Sequence, residues 1–144
     1  MEIAVKIAVY LTIGVALSAC NVWYIRTVYQ RRAQTMEAAL EAQLDGAASW
    51  SSPSGGLFLW VRLDAELSID RLFERALEAE VAFVPGDPFF VEPSGRPFMR
   101  LNFSHRPEAA ITEGMRRLAI AIEAERDAQA KPRLRYDLMP TSQP

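Results

Sequence analysis

The stretch Phe98-Met99-Arg100-Leu101-Asn102-Phe103-Ser104 decides how the chain folds. Side chains of a strand alternate between its two faces, so Met99, Leu101 and Phe103 share one side while Phe98, Arg100, Asn102 and Ser104 share the other. One side is apolar enough to be core; the other carries a guanidinium. Arginine grips a planar carboxylate through two parallel charge-assisted hydrogen bonds, and a strand pinned by its apolar face would hold that fork steady. Taken by itself, Arg100 reads more readily as a solvated or salt-bridged strand residue than as a ligand anchor.

Upstream, Val81-Ala82-Phe83-Val84 reads as a short apolar strand closed by Pro85-Gly86, and residues 87–97 form a loop rich in Pro, Gly and Ser. Before that strand, Ser68 caps a helix whose Ile69, Leu72, Phe73, Ala76 and Leu77 fall at helical spacing. Leu57-Phe58-Leu59-Trp60-Val61-Arg62-Leu63 is largely apolar and rich in strand formers, a buried strand. It follows a breaker-rich connection, residues 47–56, containing Ser51, Ser52, Pro53, Ser54, Gly55 and Gly56. Downstream, Pro107 opens a last helix with Ile111, Met115, Leu118, Ala119 and Ile122 on one face, and Arg116, Arg117, Glu123 and Glu125 elsewhere around it. Pro132 ends that helix, leaving a loose tail, residues 131–144. His105 falls in the loop after the strand and reads as solvated or capping.

A helical pattern also runs from Val22 through Ile25, Tyr29, Met36, Leu40 and Leu44 to a stop at Gly46. The expected architecture is therefore α+β: a small sheet of about three strands covered by helices and preceded by a long N-terminal helix. It divides into an apolar segment 1–21, a connecting helix 22–46, a small domain 47–130 and the tail.

The first segment has three readings. Residues 7–25 carry no charge and suffice to span a bilayer, with Trp23 and Tyr24 at one end and Arg26, Arg31 and Arg32 following. Leu17-Ser18-Ala19-Cys20 also resembles a lipoprotein processing box behind an apolar region, although Lys6 offset by Glu2 is a weak export start. The third reading is a buried helix of a soluble protein, or a start introduced by truncation of a longer gene.

Composition narrows the function classes. The 144 residues are 50% hydrophobic and 24% charged with a net charge of -2, which suits one globular domain and gives no basic field for nucleic acid. One cysteine, Cys20, excludes an internal disulfide framework, and with a single histidine beside it no metal site is expected.

Three blocks taken together are more specific: Trp50-Ser51-Ser52-Pro53-Ser54-Gly55-Gly56-Leu57-Phe58-Leu59-Trp60, Val81-Ala82-Phe83-Val84-Pro85-Gly86-Asp87-Pro88-Phe89-Phe90, and Met99-Arg100-Leu101-Asn102-Phe103-Ser104. Their order and spacing resemble the C-terminal small domain of fold type I pyridoxal-phosphate-dependent aminotransferases of class I/II, especially the 2-aminoadipate and kynurenine aminotransferase branch. The resemblance covers residues 23–125. Tyr29-Gln30-Arg31-Arg32 resembles the helix leading into that domain, where an Arg-Arg-Asp run is usual and Ala33 stands here in place of the Asp.

The resemblance implies that Arg100 binds the substrate α-carboxylate, and that Gly55, Gly56 and Asn102 belong to the same substrate-binding set. It implies transfer of an amino group between an amino acid and a 2-oxo acid, pyridoxal phosphate as cofactor of the complete enzyme, a homodimeric parent and a cytoplasmic location. Phe83, Pro85-Gly86 and Phe89-Phe90 divide between core packing and a substrate wall.

The family's Schiff-base lysine and phosphate cradle belong to a larger domain that has no counterpart here. Lys6 and Lys131 are the only lysines, and neither stands in such a motif. No catalytic, cofactor-binding or metal-binding residue is therefore expected in this chain, which alone should be silent. Two other readings compete: a non-catalytic, membrane-tethered carboxylate-binding domain anchored through residues 7–25, and a transcription regulator built on the aminotransferase fold. The second is disfavoured because such proteins carry an N-terminal DNA-binding domain.

Overall fold

The computed structural model describes residues 2–63, 67–92 and 97–130. Three helices, α1 (Glu2–Leu44), α2 (Ile69–Glu78) and α3 (Glu108–Ala130), accompany four strands, β1 (Ala48–Trp50), β2 (Phe58–Leu63), β3 (Val84–Pro85) and β4 (Phe98–Asn102). The strands form one antiparallel sheet in the order β1-β2-β4-β3. The α+β architecture is as expected, with one strand more.

That strand, β1, lies in the stretch read as connection. Gly46, at φ +68°, turns the chain back after α1 in a left-handed conformation that costs glycine nothing, and the amide of Ala47 closes the helix on the Leu44 carbonyl. Ala48 then lies opposite Leu63 and Trp50 opposite Val61. Three residues are too short for periodicity to reveal; pairing with β2 makes the strand. The strand expected over residues 81–84 shrinks to Val84–Pro85. Phe83 is buried, whereas Val81 leaves α2 with its amide on the Ala76 carbonyl.

One face of the sheet is core. Leu59, Val61, Leu63, Met99 and Leu101 are at most 2% exposed and pack with Met36, Leu40 and Leu44 of α1, Leu72 and Ala76 of α2, and Ile111, Met115, Leu118 and Ile122 of α3. This is the burial expected of alternating strands against amphipathic helices. Leu77, which the spacing puts on the apolar face of α2, is half exposed instead, at the edge of its stripe.

Glu125 departs further. Its charge argues for a place off the apolar face of α3, yet it continues the row Ile111, Met115, Leu118, Ile122 and is fully buried. Its carboxylate is answered by Arg75 Nε at 2.8 Å, Arg71 Nε at 3.5 Å and the Gln129 side-chain amide at 3.1 Å, which ties α2 to α3 through a buried charge.

On the exposed side of α3, Glu113 accepts hydrogen bonds from Arg116 and Arg117, which hold its carboxyl down at about 2. Because its folded value is depressed, the stabilisation is present above its ordinary value of 4.5 and is lost as pH falls towards about 2. Between these limits the unfolding free energy of Glu113→Gln should fall less steeply with acid than that of the wild type, measured by urea denaturation at successive pH values.

α1 is a single 43-residue helix with no break between residues 21 and 22. Only its C-terminal part enters the core. Residues from Ile3 to Ile25, including Tyr10, Leu11, Leu17 and Trp23, are exposed, and by length and composition the helix can cross a membrane. Its other tie is Arg32, whose Nη1 donates to the Ser104 carbonyl just beyond β4.

Candidate functional site

The outer face of the sheet holds the side chains the core rejects. In the β2–β4 register Phe58 lies opposite Asn102, Trp60 opposite Arg100 and Arg62 opposite Phe98, while Val84 of β3 flanks Arg100 on the other edge. Diagonal neighbours two residues along a facing strand are within reach of long side chains. Arg100 takes that option: its guanidinium carbon sits 4.2 Å from the centroid of the Phe58 ring.

A second ring also meets it, since the Phe89 centroid lies 4.3 Å from the same carbon. Phe89 arrives from a 3-10 turn, Asp87–Phe89, which Gly86 sets against β4. The Gly86 amide donates to the Phe98 carbonyl at 2.8 Å, and a Cβ on Gly86 would stand 2.5 Å from the Phe98 Cβ. Only glycine permits that approach. Gly86→Ala should therefore cost about 2–3 kcal/mol, the scale of overpacking, and should loosen Phe89 from Arg100; urea denaturation measures the first effect.

Aromatic edges brace the arrangement. Trp60 meets Phe89 at 5.6 Å and 88°, Phe90 at 6.0 Å and Phe98 at 6.5 Å, and Phe90 meets Phe98 at 5.1 Å. The Trp60 contacts are edge-to-face and fix ring orientation as well as position, while Phe90 and Phe98 meet at a tilt of 47°.

The electrostatics of Arg100 differ from those of the arginines on α2 and α3. Arg71, Arg75, Arg116 and Arg117 each meet a carboxylate. Among the described residues nothing accepts a hydrogen bond from Arg100, and its Nε is buried without a partner. A partly buried cation with no counter-charge is costly unless an anion completes it.

The other expected site residues separate into two places. Gly55 and Gly56, the latter at φ +98°, line a groove of about 420 Å³ with Arg26, Tyr29, Ala33 and Ser54 that Arg100 does not line. Their turn nonetheless leads directly into Phe58. Asn102 points its Oδ1 at the amide and hydroxyl of Ser104, 2.7 and 2.8 Å away, and so shapes the exit of β4. His105 is exposed in that exit turn. Lys6 is exposed on α1 and paired with Glu2, while Lys131 lies outside the described residues.

The sequence did not reveal that Phe58 and Trp60 face outward. Large aromatic and apolar residues occupy both faces of β2, so its alternation is masked, and Arg62 is the one residue of the strand that signals a non-core side.

Comparison with known proteins gives this arrangement a setting. Residues 7–118 match the family model described as aminotransferase class I and II, so the match begins upstream of residue 23. The chain is 41% identical over 99 residues to the 2-aminoadipate transaminase of Thermus thermophilus, covering 69% of this chain and 25% of that protein. It is 34% identical over 97 residues to the mitochondrial kynurenine/alpha-aminoadipate aminotransferase of Mus musculus, covering 66% and 23%. Among solved structures, the alpha-aminoadipate aminotransferase LysN of Thermus thermophilus, complexed with N-(5'-phosphopyridoxyl)-L-leucine, superposes with a TM-score of 0.66 at 39% identity, over 71% of this chain and 26% of that one. The kynurenine aminotransferase of Pyrococcus horikoshii gives a TM-score of 0.65 at 37% identity, over 69% and 24%. The chain thus spans about a quarter of the length of the curated relatives it matches. With sequence, fold and family match in agreement, the chain belongs to the class I and II aminotransferases.

Proposed function

We propose that this chain is the carboxylate-binding small domain of a pyridoxal-phosphate-dependent aminotransferase, and that Arg100 anchors the α-carboxylate of the amino acid or 2-oxo acid. The observation that carries this reading is the guanidinium of Arg100, held against two phenyl rings with no counter-charge among the described residues. A carboxylate would satisfy it through paired hydrogen bonds. Gly55 and Gly56 serve the edge of the cleft, and Asn102 shapes the strand exit beside the anchor.

The described residues do not fit a covalently held pyridoxal phosphate. Lys6, their only lysine, is paired with Glu2 on the exposed half of α1. A Schiff-base lysine would stand on the portion of the relatives that this chain does not span, and this chain by itself transfers no amino group. The same reading carries a homodimeric, cytoplasmic parent enzyme.

A domain graft tests the proposal. Residues 22–130 would replace the matching portion of the Thermus thermophilus 2-aminoadipate transaminase. Transaminase activity should survive the exchange and disappear when Arg100→Met is added; equal activity with and without Arg100 would refute the assignment. For the chain alone, pyridoxal phosphate followed by borohydride should label no specific lysine.

A second reading, a membrane-tethered binding domain, is favoured by the exposed apolar half of α1. The family match from residue 7 weighs against a separate anchor. A full-length chain that is monodisperse without detergent would end that alternative.

A further inference from the structure

Phe58 and Phe89 do something a pair of core residues would not: both turn a ring face to one guanidinium, at 4.2 and 4.3 Å. Neither ring is buried in the core cluster, and Phe89 is 48% exposed. Burial alone therefore does not account for their placement. A guanidinium in contact with two ring faces has less room to reorient, and cation–π attraction from both rings holds it there. Its Nε is sealed from solvent without a partner, which leaves the terminal Nη groups as the donors that an incoming carboxylate would meet.

We propose that Phe58 and Phe89 are positioning residues for Arg100, an aromatic clamp of two ring contacts that holds the guanidinium ready for a carboxylate. This deepens, and rests on, the reading of Arg100 as the carboxylate anchor. The two arms come from separate parts of the chain. Phe58 is fixed by β2 pairing with β4, whereas Phe89 is carried by the 3-10 turn set by Gly86 and braced edge-on by Trp60. Fixing the fork before the ligand arrives removes the ordering cost that a free arginine side chain meets on binding.

The test uses the full chain and sodium pyruvate as the probe, followed by NMR of the Arg100 Nε–Hε signal. In the wild type that signal should lie upfield from ring currents, exchange slowly with water and move on adding pyruvate. Phe58→Leu and Phe89→Leu should each reduce the upfield displacement and weaken pyruvate binding about twofold to fivefold, the range of a single partly exposed cation–π contact. Phe89→Tyr keeps a ring face and should restore both readouts, which separates a clamp from a loss of fold.

Two failures are distinguishable. If pyruvate leaves the wild-type signal unmoved, or binds Arg100→Met equally well, the anchor reading falls and the clamp with it. If pyruvate binds through Arg100 with unchanged affinity in both leucine variants, the anchor stands and the clamp is overturned.

Discussion

Arg100→Met should make the domain more stable by about 1 kcal/mol while weakening pyruvate binding about a hundredfold. The two effects have one origin. A buried Nε–H without a partner costs about 1–3 kcal/mol, and two cation–π contacts at a partly exposed site return about 0.5–1 kcal/mol each. Methionine fills much of the same space, and its sulfur packs favourably against both rings. It therefore removes the cost and keeps most of the contact. What it lacks is the fork, and truncating one partner of a desolvated charge pair costs about 2–5 kcal/mol of binding. Arg100→Lys keeps the charge without the planar pair of donors and should fall between, near a tenfold loss. Urea denaturation and titration calorimetry at pH 7 measure the two quantities. A destabilised Arg100→Met would mean that the guanidinium serves the fold rather than a ligand.

The second large effect is expected at Glu125. Glu125→Ala should destabilise the domain by about 3 kcal/mol, because it opens a cavity in the α2–α3 interface and strands the donors of Arg75 and Gln129. Arg75 and Arg71 are 36% and 48% exposed, so water recovers part of what they lose and the cavity dominates. Glu125→Leu refills the volume and completes the apolar row of α3; it should remain within about 1 kcal/mol of the wild type. A leucine variant as unstable as the alanine one would show that charge, rather than volume, joins the helices. The arginines make the comparison sharper, since a double-mutant cycle with Arg75→Met isolates the pair.

What the sequence makes legible follows from the range of the forces involved. Residues 98–103 can be read correctly because alternation is local: the burial of Met99, Leu101 and Phe103 is written in every second residue. The burial of Leu72 and Ala76 on α2, and of Ile111 to Ile122 on α3, is equally local at helical spacing. β1 is illegible because Ala48, Ser49 and Trp50 carry no pattern of their own and become a strand only by pairing with residues 61–63. Glu125 is misread for the same reason. A carboxylate on an apolar face looks like a solvated residue until α2 supplies two arginines some fifty positions away in the chain. At the candidate site, the family resemblance singles out Arg100, Gly55, Gly56 and Asn102, but Arg100 and the glycines occupy different places, and Asn102 is turned to Ser104. The clamp on Arg100 requires three-dimensional information, since Phe58 and Phe89 meet only when β2 and the 3-10 turn flank the same strand.

The long first helix has a mechanical consequence. At 1.5 Å per residue, its 43 residues extend about 65 Å, and the domain grips only the C-terminal portion. A rod held at one end is a lever. A small tilt near Arg32 becomes a displacement of many ångströms at the far end of the helix, and a load applied there returns to the fulcrum as torque. There the Arg32 side chain holds the Ser104 carbonyl, two residues beyond β4. Whatever grips the exposed half of α1 therefore acquires mechanical purchase on the strand that bears Arg100.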